Sequence, residues 1–218
     1  GQMSEPRAKW LDEQLTTNWR IDTWSEDEPF EHFSELVVQA DAIVGGRIKG
    51  DWPPVPSLKL YQVPFTGYEF LKPEDLPRGC MLCNSYGHEV AIAEFVLLGM
   101  LEREIGLSKY DREFRESGWK GRVPGVGPNH GELSGKTVGI VGYGHIGKAV
   151  ALRAAAFGMR TVAVNRTVGN VPPPLQAFYG LDQLDILLSE SDYVVITLPT
   201  APGTRGLIDV HKFDLMKS

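Results

Sequence analysis

The segment TVGIVGYGHIGKAVALRAAAFGMRTVAVNR (137–166) constrains the fold more than any other part of the chain. It opens on a short β-branched run of the kind that is buried in a parallel sheet. That run ends in a G-x-G-x-x-G turn made by Gly142, Gly144 and Gly147. An Ala-rich stretch with helical spacing follows, Gly158 closes it, and RTVAVNR is a second β-branched run. Strand, glycine turn, helix and strand in that order make the βαβ unit that holds dinucleotides. Gly142 permits the tight turn, Gly144 lets the backbone approach a pyrophosphate, and Gly147 lets the helix pack on the strand. The N–H groups around His145 and Ile146 and the positive helix end would then face the phosphates. His145 is a loop residue on this reading, remote from any nicotinamide ring. A tight strand-to-helix turn without a ligand is the plainer alternative, and the flanking strands and helix weigh against it.

The strand after the glycine turn bears on the choice of nucleotide. In NAD-binding units its end normally carries an acidic residue, about 20 positions on, that accepts hydrogen bonds from the adenosine ribose. Here the strand ends in Asn165, Arg166 and Thr167, with no carboxylate. An arginine at that place suits a 2′-phosphate, with Asn165 and Thr167 adding neutral hydrogen bonds. The pattern favours NADP over NAD. A solvated surface arginine is the alternative.

Elsewhere, short apolar runs alternate with helical patterns, which predicts an α/β protein with parallel sheets. Helices are expected in LDEQLTTNW and EHFSELVVQ, and strands in RIDTW, DAIVG, LKLYQV and CMLCN. A single long helix is expected from Val90 through KYDREFRESGW, ended by Gly118 and Gly121. The Gly- and Pro-rich residues 123–135 read as a connection, dividing the chain into 1–122 and 123–218. In the second part LDQLDILLSES reads as a helix and DYVVITLP as a strand.

The 218 residues carry a net charge of −6, which argues against a nucleic-acid or anionic-membrane partner. The most apolar stretch, AIAEFVLLGML, contains Glu94 and falls short of the roughly 20 residues a bilayer span needs. GQMSEPRAKW has no apolar signal core, so the expected location is cytoplasmic. Cys80 and Cys83 could be a redox or metal pair. Strand geometry would instead point residues three apart to opposite faces, and no second pair completes a zinc site. His88 reads as a helix-start residue, with Glu89 in the first turn.

GELSGKTVGIVGYGHIGKAVALRAAAFGMRTVAVNR resembles the cofactor-domain start of the D-isomer-specific 2-hydroxyacid dehydrogenases. SDYVVITLPTAPGTRGLI, VPFTGYEFL and HEVAIAEFVLLGML resemble three further stretches of that family, in the family's order, so that the likeness runs from about Ala40 to Ser218. It implies a partial flavodoxin-like substrate domain, an incomplete Rossmann domain, and a cleft between them. It further implies hydride transfer between a nicotinamide cofactor and a 2-keto or 2-hydroxy acid. By position, Thr66 and Gly67 would offer backbone N–H groups to the substrate carboxylate, while Leu198, Pro199 and Thr204 would line the cofactor groove. A glycine-requiring strand exit is the plainer account of PFTGY.

The family's substrate-binding arginine, its glutamate and its acid/base histidine follow the strand that comes after the one ending in Leu-Pro. DLMKS stops short of that strand, so no catalytic residue is assigned. The front also looks short, and Glu89 aligns where the family often has a small hydroxyl residue. The expectation is a truncated member, weak or inactive by itself. Its open sheet edge would favour a homodimer or larger homo-oligomer. The alternatives are a non-catalytic NADP-binding remnant and an interaction or regulatory module, for which corepressors related to the family give precedent by analogy. A regulatory nucleotide-binding domain of the potassium-transport type fits less well, because FTGY and AIAEF resemble a substrate domain.

Overall fold

The computed structural model describes residues 4–48, 53–118 and 130–217. The chain forms two compact units, 1–86 and 87–218. The boundary expected at 122/123 lies outside the described residues, and so do Gly121 and residues 123–129 of the connection.

In the first unit, α1 (Ser4–Gln14) buries no residue, whereas α2 (Phe30–Val37) buries Phe33 and Val37. Strands β1 (Ala42–Val44), β2 (Leu60–Gln62) and β3 (Met81–Cys83) form a parallel sheet in the order β1-β2-β3. Phe33 and Val37 pack with Val55 and Leu58 in one cluster. Tyr61, Val63, Leu71 and Leu76 form another. Two expectations fail here. The first helix stops at Gln14, ahead of Thr16, Thr17 and Asn18, which are poor helix formers. RIDTW is not a strand, because no neighbouring strand takes up its backbone. Arg20 instead pairs with Asp22, and Trp24 packs on Phe30 and Phe33.

The second unit opens with α3 (Glu89–Ile105) and α4 (Leu107–Ser117), where one continuous helix was expected. Gly106 separates them at φ +69°, a left-handed conformation that glycine adopts without the Cβ penalty. Strands β4 (Thr137–Val141), β5 (Arg160–Val164), β6 (Ala177–Tyr179) and β7 (Tyr193–Ile196) make a parallel sheet in the order β6-β5-β4-β7. Helix α5 (His145–Ala156) joins β4 to β5, α6 (Leu184–Glu190) precedes β7, and α7 (Val210–Asp214) follows it. The period of two sorts the strand residues between faces. Val138, Ile140 and Ala163 pack with α3 and α5, while Val141, Val162 and Val164 pack with Leu184, Leu187 and Leu188 of α6. Sequence patterning did not anticipate β6 or α7. AFY is too short to show a period, and Asp209 caps α7 by accepting the Lys212 N–H.

Candidate dinucleotide site

The site lies at the carboxyl ends of β4 and β5, where open parallel sheets bind ligands. The backbone enters the glycine turn at Gly142 with φ +102°, and its N–H donates to the Val164 carbonyl at 2.9 Å. A Cβ there would stand 2.9 Å from Leu198 Cδ2 and 3.2 Å from the Thr197 backbone. At Gly147 a Cβ would stand 2.3 Å from the Gly142 carbonyl oxygen, so only glycine allows α5 to approach the turn this closely. Gly144 differs. Its backbone is extended, it precedes the first residue of α5, and a Cβ would meet nothing within 4 Å. Open space at the middle glycine and atomic contact at the outer two fit a cradle whose centre is kept clear for a ligand's phosphates.

Helix α5 itself contributes no carboxylate beside this turn, since HIGKAVALRAAA contains none. His145 is exposed and Ile146 half-buried. Glu89, the first residue of α3, accepts the Gly87 N–H at 2.8 Å. Its own N–H and that of Gly87 hold the Glu89 carboxyl below the usual carboxylate range, with His145 and His88 adding to the effect. The aligned hydroxyl position of the family is thus filled by a helix-start acceptor.

Asn165, Arg166 and Thr167 leave β5 beside the turn. The Asn165 N–H donates to the Tyr179 carbonyl at 3.1 Å. Arg166 and Thr167 are exposed, and Arg166 makes no ion pair among the described residues.

On the other side, Leu198, Pro199 and Thr204 line a shallow pocket of about 240 Å³ with Ile196 and Leu207. The Thr204 hydroxyl donates to Pro199 O at 2.7 Å and accepts the Ala201 N–H at 2.9 Å, so it staples this turn. Sequence reading overlooked Thr197, whose hydroxyl donates to the Gly142 carbonyl at 2.6 Å and whose N–H donates to Val141 O at 2.9 Å. It overlooked Tyr143 as well, which is buried against Phe178 of β6 with ring centroids 5.5 Å apart. Neither residue has a local signal, because each matters through a strand distant in sequence.

In the first unit, Thr66 and Gly67 follow β2. The Thr66 hydroxyl donates to Ser85 O at 3.1 Å, and Asn84 Nδ2 donates to Thr66 O at 2.8 Å. These bonds tie the β2 exit to the β3 exit. Glu69 folds over Gly67, its Oε2 3.0 Å from where a Cβ would be. Cys80 and Cys83 are unpaired thiols, and burial pushes the Cys80 thiol up, with Cys83 adding to the shift. Among the described residues no cluster of His, Cys, Asp and Glu could hold a metal ion. No described helix is long and apolar enough to cross a membrane.

A sequence profile described as the D-isomer specific 2-hydroxyacid dehydrogenase, NAD binding domain, matches residues 97–218. The chain belongs to this family. A glyoxylate reductase of Thermococcus kodakarensis is 31% identical over 94% of this chain. The chain spans 65% of that relative's length. A D-isomer specific 2-hydroxyacid dehydrogenase of Xanthobacter autotrophicus, solved with NADPH and MES, is 28% identical, with a TM-score of 0.58 over 75% of this chain and 52% of its own. A family protein of Aeromonas salmonicida, 21% identical, shares the fold with a TM-score of 0.74 over 99% of this chain and 67% of its own. The α/β architecture with parallel sheets and a Rossmann-like nucleotide unit is therefore that of the family, and its cofactor is a nicotinamide dinucleotide.

Proposed function

We propose that this chain binds NADP in preference to NAD and serves the reduction of a small, glyoxylate-like 2-keto acid to its 2-hydroxy acid. One observation carries the cofactor choice: the exit of β5 presents Asn165, Arg166 and Thr167 where an NAD site carries a carboxylate. Arginine supplies charge-assisted, bidentate hydrogen bonds to a phosphate, and a carboxylate would repel it. The NADPH complex of the Xanthobacter relative is in keeping with this choice.

When bound, the nicotinamide supplies the hydride. This chain's own residues hold and orient it. Backbone N–H groups of Gly144, His145 and Ile146 would hold the pyrophosphate, with Gly142 and Gly147 shaping the turn. Leu198, Pro199 and Thr204 wall the groove. By their place in the family pattern, Thr66 and Gly67 of the first unit would offer backbone N–H groups to the substrate carboxylate. A cytoplasmic setting is supported by the two unpaired thiols.

The test is a parallel fluorescence titration with NADPH and NADH. Tighter NADPH binding, lost in Arg166→Gln, is expected. Tighter NADH binding would overturn the reading.

A further inference from the structure

The NADP reading rests on Arg166 alone among cations, yet a second one stands on the same side of the glycine turn. Lys148 Nζ lies over the Tyr143 ring, 6.0 Å from its centroid. Tyr143 follows β4, but its ring does not stay there. It leans across β5 to pack on Phe178 of β6, and Tyr143, Ala163 and Phe178 share one apolar cluster with α5. The lysine that caps this ring is thereby drawn toward the β5 and β6 side of the turn. That is the side on which Arg166 emerges, one residue beyond Asn165, whose N–H is held by Tyr179 next to Phe178. The Gly142 N–H, bonded to Val164 O at 2.9 Å, ties the turn to the same strand exit.

Both cations lack a counter-charge. Among the described residues no carboxylate forms an ion pair with Lys148 or Arg166, although Arg153, on the same helix, pairs with Glu94 at 3.8 Å. Two cations with no ion pair among the described residues are suited to a dianion, and the exposed Arg166 guanidinium can lie against a flat ring system. The adenosine 2′-phosphate of NADP presents that combination at this end of a Rossmann crevice.

We infer that Lys148 is a second specificity-determining residue, its ammonium joining the Arg166 guanidinium on the 2′-phosphate, with Tyr143 holding the lysine in place. The inference rests on the NADP reading and extends it to a residue on the glycine-turn helix. A lysine that served only the shared pyrophosphate would strengthen NADPH and NADH alike. A lysine on the 2′-phosphate strengthens NADPH only.

The experiment titrates the wild-type chain, Lys148→Gln, Lys148→Arg and Arg166→Gln with NADPH, NADH, 2′,5′-ADP and 5′-AMP. Thermal unfolding is run beside it to control for folding. Lys148→Gln is expected to weaken NADPH and 2′,5′-ADP about five-fold, the scale of one partly exposed charge pair. NADH and 5′-AMP should be unchanged, and Lys148→Arg should retain the preference. Equal weakening of NADPH and NADH, or weakening of neither, would overturn the role of Lys148 while leaving the cofactor reading standing. A wild-type chain that binds neither dinucleotide, or binds NADH more tightly, would overturn the cofactor reading and this inference with it.

Discussion

Replacing Gly147 or Gly144 with alanine adds the same methyl group to the same turn, and the structure demands opposite outcomes. At Gly147 the new Cβ would lie 2.3 Å from the Gly142 carbonyl oxygen and 3.1 Å from Ile140 Cγ2. Ordinary contact begins near 3.4 Å. Helix α5 must therefore retreat from the turn by about 1 Å, and the first obstacle is backbone rather than a flexible side chain. Overpacking of this kind costs about 1–3 kcal/mol, occasionally more. The helix preference of alanine over glycine returns about 1 kcal/mol at most. The retreat also loosens the contacts of Val150, Ala151 and Ala154, which are fully buried. A net loss of about 2 kcal/mol is expected, lowering the melting temperature of the second unit by ~4–10 °C. At Gly144 the Cβ meets nothing and the backbone is extended, so stability should hold within about 0.5 kcal/mol. The methyl group there would instead stand in the path of the pyrophosphate, weakening dinucleotide binding about ten-fold, or about 1.4 kcal/mol. Calorimetric or fluorescence-detected unfolding of both variants, with NADPH titration of each, decides the matter. Gly147→Ala as stable as the wild type, or Gly144→Ala with unchanged affinity, would refute the division of labour among the glycines.

Gly139→Ala should destabilise the same unit from the opposite face by about 1–3 kcal/mol in denaturant unfolding, since its Cβ would stand 2.2 Å from Ser191 Oγ and 2.6 Å from Leu187 Cδ2. Thr204→Val strands the Ala201 N–H and should cost about 1 kcal/mol in the same measurement. Burial pushes the Asp192 carboxyl up, but the Thr137 N–H (2.7 Å), Lys217 and Lys136 outweigh it and hold the group below its ordinary value. Its stabilisation is therefore present above the unfolded-state value and lost as pH falls through the folded one, so Asp192→Asn should flatten the acid limb of a stability-against-pH curve. At the alkaline end, burial pushes the Tyr61 phenol up to about 12, and burial with Glu104 pushes Tyr193 up to about 12. The unfolded phenols ionise near pH 10, so stability should decline between about pH 10 and 12, and Tyr193→Phe should make that decline shallower.

The glycine turn and its flanking strands were legible because their determinants are local. A β-branched run, three glycines at fixed spacing and an Ala-rich helix lie within 30 consecutive residues, and backbone sterics act over that range. The residues of the β5 exit were legible for the same reason. RIDTW misled because β-branched and aromatic residues signal a strand only where a neighbour offers hydrogen bonds. The single helix expected after Val90 misled because helical spacing continues through Gly106, and only the backbone reveals the left-handed turn there.

The sequence by itself determined the parallel α/β class and the place of the glycine turn, since each follows from short-range pattern, and its resemblance to known stretches pointed to the family. The tertiary structure alone decided which glycine is barred from a side chain by contact and which is left clear. It alone brought Thr197 onto the Gly142 carbonyl and Tyr143 onto Phe178. Those relations join residues far apart along the chain, and they arise from the strand order β6-β5-β4-β7, which no local preference encodes.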